Sequence, residues 1–255
     1  MKKKRCIVAN WKMHKNYEEV VSFVEGLSQE KQLLEDVSVC IAPAFPYIYP
    51  AVKAARGSAI LIGAQNINDK IEGAYTGEVS ALMVRECGGN FTLIGHSERR
   101  HFFHEDSNWI NRKVHTAFRV GIRPILCLGE TLKERESGNT ENVLKKQLLE
   151  GLEGVEEDQA GYLLIAYEPF WAIGSGKSAT PDQAEQMHSY CRMVLGELWG
   201  KDVAKKIPIL YGGSVNAGNA KAILAEENID GLLVGGASLS LDSFKKILYD
   251  GNLNS

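Results

Sequence analysis

The sequence predicts an α/β chain of eight strand–helix units, and three observations carry that prediction. Short apolar, β-branched runs recur along the chain, amphipathic stretches with helix signals lie between them, and many runs end in glycine or polar residues. The runs are 6–9, 37–42, 59–64, 91–94, 122–128, 162–167, 207–211 and 229–234. Most are hydrophobic through their length rather than alternating, the pattern of parallel strands buried on both faces.

The helix signals are local. Ser107 opens a run that ends at Gly121, Thr180-Pro181 opens another with proline where a first helical turn tolerates it, and Asn216 opens a third. Periodicity alone allows either a closed (β/α)8 barrel or an open doubly wound sheet. The strand ends bear on that choice. Asn10 and Lys12, Gln65 and Asn66, His96, Glu130, Glu168, Gly212 to Ser214 and Gly235-Gly236 follow the runs. Closure would bring them to one face, where barrel enzymes place their active sites. No linker, low-complexity segment or solenoid repeat interrupts the chain, so residues 1–255 are expected to form one barrel domain.

Composition excludes several function classes. At 44% hydrophobic and 24% charged residues, the chain has the apolar content for a sizeable core and is not a disordered sequence. A net charge of -3 leaves no electrostatic footprint for a polyanion, so no nucleic-acid partner is expected. The five cysteines are odd in number, widely spaced and without a CxxC, which argues against a disulfide framework and a zinc site and for a reducing cytoplasm. The basic start Met1–Arg5 is followed by only Cys6–Ala9 as an apolar stretch, too short for an export signal. No later run approaches the ~18 residues of a membrane span, so no membrane partner is expected.

Glu168 follows the run 162–167 and precedes Pro169, which places a carboxylate at a strand mouth where the chain turns away from helix. Alone it reads as a solvated loop glutamate. The stretch Phe170–Ser178 after it is longer than the usual ~2–6 residue connection and mixes large apolar residues with Gly174 and Gly176, as a lid would. Two nucleotide motifs fail here. A P-loop would need glycine at 171, where Trp171 stands, and the GxGxxG-like stretch from Gly174 lies seven residues past Tyr167, before the Thr180-Pro181 helix start. No nucleotide cofactor is expected.

His96 sits between a strand and a helix start, where helix-end N–H groups favour a neutral imidazole. His101 and His104 nearby lack an HExxH pattern or carboxylate partners, so no metal is expected. Lys12, at the first strand end with Asn10, is a cation suited to an anionic substrate or developing negative charge. Glycine pairs at Gly212-Gly213-Ser214 and Gly235-Gly236 follow the last two strands, where barrels build phosphate cradles from backbone N–H groups.

Six motifs in order resemble the triosephosphate isomerase family along essentially the whole chain: Asn10–Met13, Gly95–Arg100, Ala166–Pro169, Trp171–Gly174, Tyr211–Val215 and Gly235–Ser238. The resemblance implies a closed (β/α)8 TIM barrel that interconverts triose phosphates without a cofactor, in glycolysis and gluconeogenesis. It implies Glu168 as general base, His96 as neutral electrophile, and Lys12 with Asn10 as stabilisers of enediolate-like charge. It further implies Gly174, Ser214, Gly235 and Gly236 as phosphate holders, 169–179 as a closing lid, and a homodimer docked through Gly73–Glu78. Phe170, Ser175, Ser178 and His104 depart from common family patterns, at the lid and in one loop. Two other readings share parts of this pattern: another phosphosugar-binding barrel enzyme, which would place a Schiff-base lysine in a central strand, and a non-catalytic dimeric barrel.

Overall fold

The computed structural model describes residues 4–172 and 178–252. Its strands are β1 (Cys6–Asn10), β2 (Ser38–Ala42), β3 (Leu61–Ala64), β4 (Phe91–Ile94), β5 (Arg123–Leu128), β6 (Leu164–Tyr167), β7 (Ile209–Tyr211) and β8 (Gly231–Val234). They pair in sequence order, all parallel, and β8 returns to β1, so the sheet is a closed barrel ringed by helices. The open alternative is thereby removed. Ile7 of β1, for instance, lies opposite Val39 on one side and Leu232 on the other.

Alternate strand residues separate into two cores. Val8, Cys40, Ala42, Leu93, Cys127, Ala166, Leu210 and Leu233 belong to a cluster made of strand residues alone, the barrel interior. Their sequence neighbours, such as Ile7, Ile41, Ile94, Leu126, Ile165 and Leu232, pack with helix residues in the surrounding layer. On every strand but β3, which adds no residue to the interior cluster, both faces are largely apolar, which is why most runs do not alternate. The same parity positions the site. Val8 and Ala166 point inward, so Asn10 and Glu168, two residues further on, emerge at the C-terminal mouth.

Several runs predicted two residues more strand than forms. Leu163, Ile207 and Ile229 lie just before their strands, fully buried in the helix-facing core but outside the ladder, and Ile60 sits likewise before β3. Burial, not pairing, explains their side chains.

The helix signals hold at two of three places. Ser107–Val120 is a helix capped by the Asp106 carboxylate, which accepts from the Trp109 N–H at 2.7 Å, and Gly121 is its C-cap. Pro181–Trp199 begins with a capping box between Thr180 and Gln183. At the third, the helix proper is Ala220–Leu224 and Asn216 instead heads a turn, its Oδ1 accepting from the Gly218 N–H at 2.8 Å. An asparagine side chain satisfies its own nearby backbone here and delays the helix. No helix among the described residues is long and apolar enough to cross a membrane.

Candidate active site

The strand ends converge on a cavity of about 350 Å³ at the C-terminal mouth. Asn10, Lys12, His96, Glu168, Ser214, Gly235 and Gly236 all line it, so the structure brings seven of the eight sequence-predicted site residues together. The eighth, Gly174, lies outside the described residues, as does the stretch 173–177 of the expected lid.

Glu168 is held by continued strand geometry. Its N–H donates to Leu128 O at 2.7 Å, and the Gly212 N–H donates to Tyr167 O at 2.7 Å. Two glycines make room for it: a Cβ at Gly129 would stand 1.9 Å from Glu168 O, and one at Gly212 would stand 2.8 Å from Glu168 Cγ. The carboxylate is 1% exposed. Its Oε2 accepts from the Ser97 N–H at 3.1 Å and its Oε1 lies 2.9 Å from His96 Nε2.

The tautomer of His96 follows from its other nitrogen. As N-cap of the helix Ser97–Phe102, it accepts the Glu98 N–H on Nδ1 at 3.2 Å. An amide can only donate, so Nδ1 is the acceptor and Nε2 carries the proton that faces Glu168. Burial pulls the imidazole pKa down, but the Glu168 carboxylate, with Glu98 behind it, more than offsets this and leaves it above the usual value. A second proton would have to sit on Nδ1 against the Glu98 amide, so the geometry holds the neutral ring.

Lys12 occupies a left-handed backbone conformation, φ 51°, that costs a non-glycine residue about 1 kcal/mol or more. Two contacts hold it there. Its N–H donates to Asn10 Oδ1 at 3.0 Å, and its carbonyl accepts from Gln65 Nε2 at 2.7 Å. Its Nζ pairs with Glu98 Oε1 at 2.5 Å, and its side chain passes Gly235, where an added Cβ would meet Lys12 Cε at 3.5 Å. One cation thus reaches both the base end and the glycine end of the cavity.

The comparison with known families bears on the same residues. The family model for triosephosphate isomerase matches residues 5–250. The chain belongs to the triosephosphate isomerase family. Among its relatives, the triosephosphate isomerase of Fusobacterium nucleatum subsp. nucleatum is 49% identical over 253 residues, covering 98% of this chain and all of the relative. Those of Protochlamydia amoebophila and Carboxydothermus hydrogenoformans are 46% and 47% identical, over 96% of this chain and 92% and 98% of their own lengths.

Beside the residues expected from triosephosphate isomerase motifs, the site uses others to which sequence reading gave no role. Ser97 contributes through its backbone N–H, and Glu98 both donates its N–H to His96 Nδ1 and pairs with Lys12. His14 also lines the cavity. Glu130, fully buried, accepts on Oε1 from Trp171 Nε1 at 2.8 Å, Tyr167 OH at 3.2 Å and Arg135 Nη1 at 3.1 Å. It ties the turn Phe170–Ala172, the start of the expected lid, to β6. The only sequence signal for it was its place after a strand.

The departures from family pattern take defined positions. The Phe170 ring lies 5.0 Å from the His101 ring, and His104 has φ 53°, in the left-handed region that glycine adopts most readily. Cys127 and Cys191 are inert core thiols. Burial pushes Cys191 up to about 12, and burial with Glu168 beside it pushes Cys127 well above its ordinary value. Among the described residues, no group of three His, Cys, Asp or Glu side chains is placed to hold a metal ion.

Proposed function

We propose that this chain interconverts dihydroxyacetone phosphate and D-glyceraldehyde 3-phosphate by proton transfer through an enediolate. The observation that carries this reading is the meeting of Glu168, neutral His96 and Lys12 in one cavity with the glycine pairs of the last two strand ends. A carboxylate, a neutral donor and a cation beside an anion cradle are what carbon-to-carbon proton transfer on a small phosphoester needs.

In this reading Glu168 takes the proton from the carbon next to the carbonyl and returns it to the neighbouring carbon. The Nε2–H of His96 donates to the substrate oxygens as charge develops on them, and the Lys12 ammonium with Asn10 balances that charge. To act, Glu168 exchanges its contacts to His96 and the Ser97 N–H for the substrate. Gly174, Ser214, Gly235 and Gly236 hold the phosphate. Closure of 169–179 over the cavity excludes water, which strengthens each electrostatic contact and protects the enediolate.

We read residues 1–255 as one domain, working in the cytoplasm in glycolysis and gluconeogenesis, as a homodimer docked through Gly73–Glu78. Support for the dimer comes from a second depression lined by Met13, Phe45, Gln65, Arg99 and Phe103, next to Lys12 and His96. Met13 is 93% and Phe103 61% exposed, apolar surface of the kind that a partner covers.

A coupled assay on chelator-treated protein tests the reaction. Turnover of both triose phosphates without added metal or nucleotide is expected. Absence of turnover from folded protein would overturn the assignment, and sedimentation as a monomer would overturn the dimer.

A further inference from the structure

Toward the end of the barrel opposite the catalytic cavity, two cysteines on neighbouring strands share the interior cluster. Cys6 is the first residue of β1 and Cys40 the third of β2. The parallel register sets Cys6 opposite Ser38 and Val8 opposite Cys40, so the cysteines stand diagonally on neighbouring strands. Both belong to the interior cluster and are 8% and 5% exposed. Each thiol acts on the acidity of the other, and Ser38, opposite Cys6 in the register, acts on Cys6 as well. The Arg123 charge, from the first residue of β5, acts on both sulfurs.

Their placement on neighbouring strands of one interior couples the two thiols. The Cys40 S–H holds the Cys6 thiol below its usual range in spite of burial, with Arg123 and Ser38 adding to the effect. Cys40 is driven well above its usual range by the neighbouring Cys6 thiol and by burial. The pair therefore gives up its first proton more readily than its second. Cys127 and Cys191 are different: their acidity is weakened by burial and by the Glu168 and Glu130 carboxylates.

Direct closure to a disulfide is disfavoured by the diagonal. On parallel strands ~4.8 Å apart, a two-residue offset of ~6.6 Å puts such Cα atoms about 8 Å apart, and a disulfide needs under about 7 Å. A soft centre inserted between the sulfurs removes that constraint. The neighbouring Arg123 charge opposes a hard divalent cation and does not oppose a neutral product.

We propose that Cys6 and Cys40 form a dithiol site for a trivalent arsenic oxyacid, arsenite being the probe. Two S–As bonds form and two As–O bonds break, and each thiol proton leaves with a hydroxide as water. No oxidant or reductant is required, and the remaining As–OH keeps the adduct neutral. The site is remote from the catalytic mouth: Asn10 is four residues along β1 from Cys6, about 13 Å at ~3.3 Å per residue.

The test is intact mass measured under native conditions on the reduced, desalted full-length chain after arsenite treatment. One arsenic per chain is expected, unchanged by saturating inorganic phosphate and removed by a dithiol but not by a monothiol at equal thiol concentration. Cys6→Ser and Cys40→Ser each lose the arsenic, whereas Cys87→Ser and Cys191→Ser keep it. Should a serine variant not fold, alkylation mapping on the wild-type chain replaces it, with arsenite expected to protect Cys6 and Cys40 together. Arsenic retained without either cysteine, unprotected Cys6 or Cys40, or uptake only after denaturation would each overturn the proposal.

Discussion

The Glu168 carboxylate lies 2.9 Å from His96 Nε2 and accepts the Ser97 N–H at 3.1 Å through its other oxygen. The proposed base is therefore parked on the proposed electrophile, and its reach toward a substrate carbon depends on the length of its side chain. Glu168→Asp shortens that reach by one methylene. A misplacement of ~1 Å costs about 10²-fold in turnover, so kcat is expected to fall on that order while the inhibition constant of inorganic phosphate stays close to wild type. Equal loss in both quantities would show that Glu168 shapes the whole cavity and is not a dedicated base.

Gly212 offers a test of the same base without touching it. A Cβ there would stand 2.8 Å from Glu168 Cγ, closer than real Cβ atoms come, so the glutamate side chain has to move. Gly212→Ala is expected to lower kcat by roughly 10²-fold and to leave the unfolding midpoint within a few degrees of wild type. A variant with unchanged kcat would mean that the carboxylate tolerates displacement.

Lys12 reaches from Glu98 to the side of Gly235, so its charge is shared between the reacting carbons and the phosphate end. Lys12→Ala removes a charge-assisted contact worth about 1.5–3 kcal/mol, which is roughly 10–100-fold. The expected outcome is a higher KM and a lower kcat together. Steady-state kinetics with both triose phosphates measures this, and a change confined to KM would leave Lys12 a binding residue alone.

Much of this was legible in the sequence because a parallel barrel buries both faces of each strand. Continuous apolar runs are then diagnostic, and the polar residue ending a run marks the mouth. What stayed hidden was carried by groups that leave no pattern. The Ser97 contribution is a backbone N–H, which any residue supplies. The anchoring of Trp171 by Glu130 joins positions 41 apart, and the pairing of Lys12 with Glu98 joins positions 86 apart. Cys6 and Cys40 become diagonal neighbours only because β1 and β2 pair in one particular register. The start of β3, β6, β7 and β8 was blurred because Ile60, Leu163, Ile207 and Ile229 are buried by helices without joining the ladder.

His188 gives the stability of the fold a pH dependence with a definite sign. It is fully buried on the helix Pro181–Trp199, packed against the Tyr167 and Tyr211 rings at 5.9 and 6.3 Å, with Nδ1 3.3 Å from Asn228 O. Burial lowers its pKa from 6.5 to about 3, with the nearby Arg192 charge acting in the same direction. Above pH 6.5 the ring is neutral in both folded and unfolded chains and contributes no slope. Between about 6.5 and about 3 the unfolded chain binds a proton that the folded chain refuses, so stability falls as the pH falls. The limiting slope from one such group is about 1.4 kcal/mol per pH unit. Urea unfolding at fixed protein concentration across pH 7 to about 4 is expected to show this loss in the wild type. His188→Phe, which keeps an aromatic ring against the two tyrosines, is expected to flatten it. Parallel curves for the two proteins would assign the acid sensitivity to carboxylates and remove His188 from it.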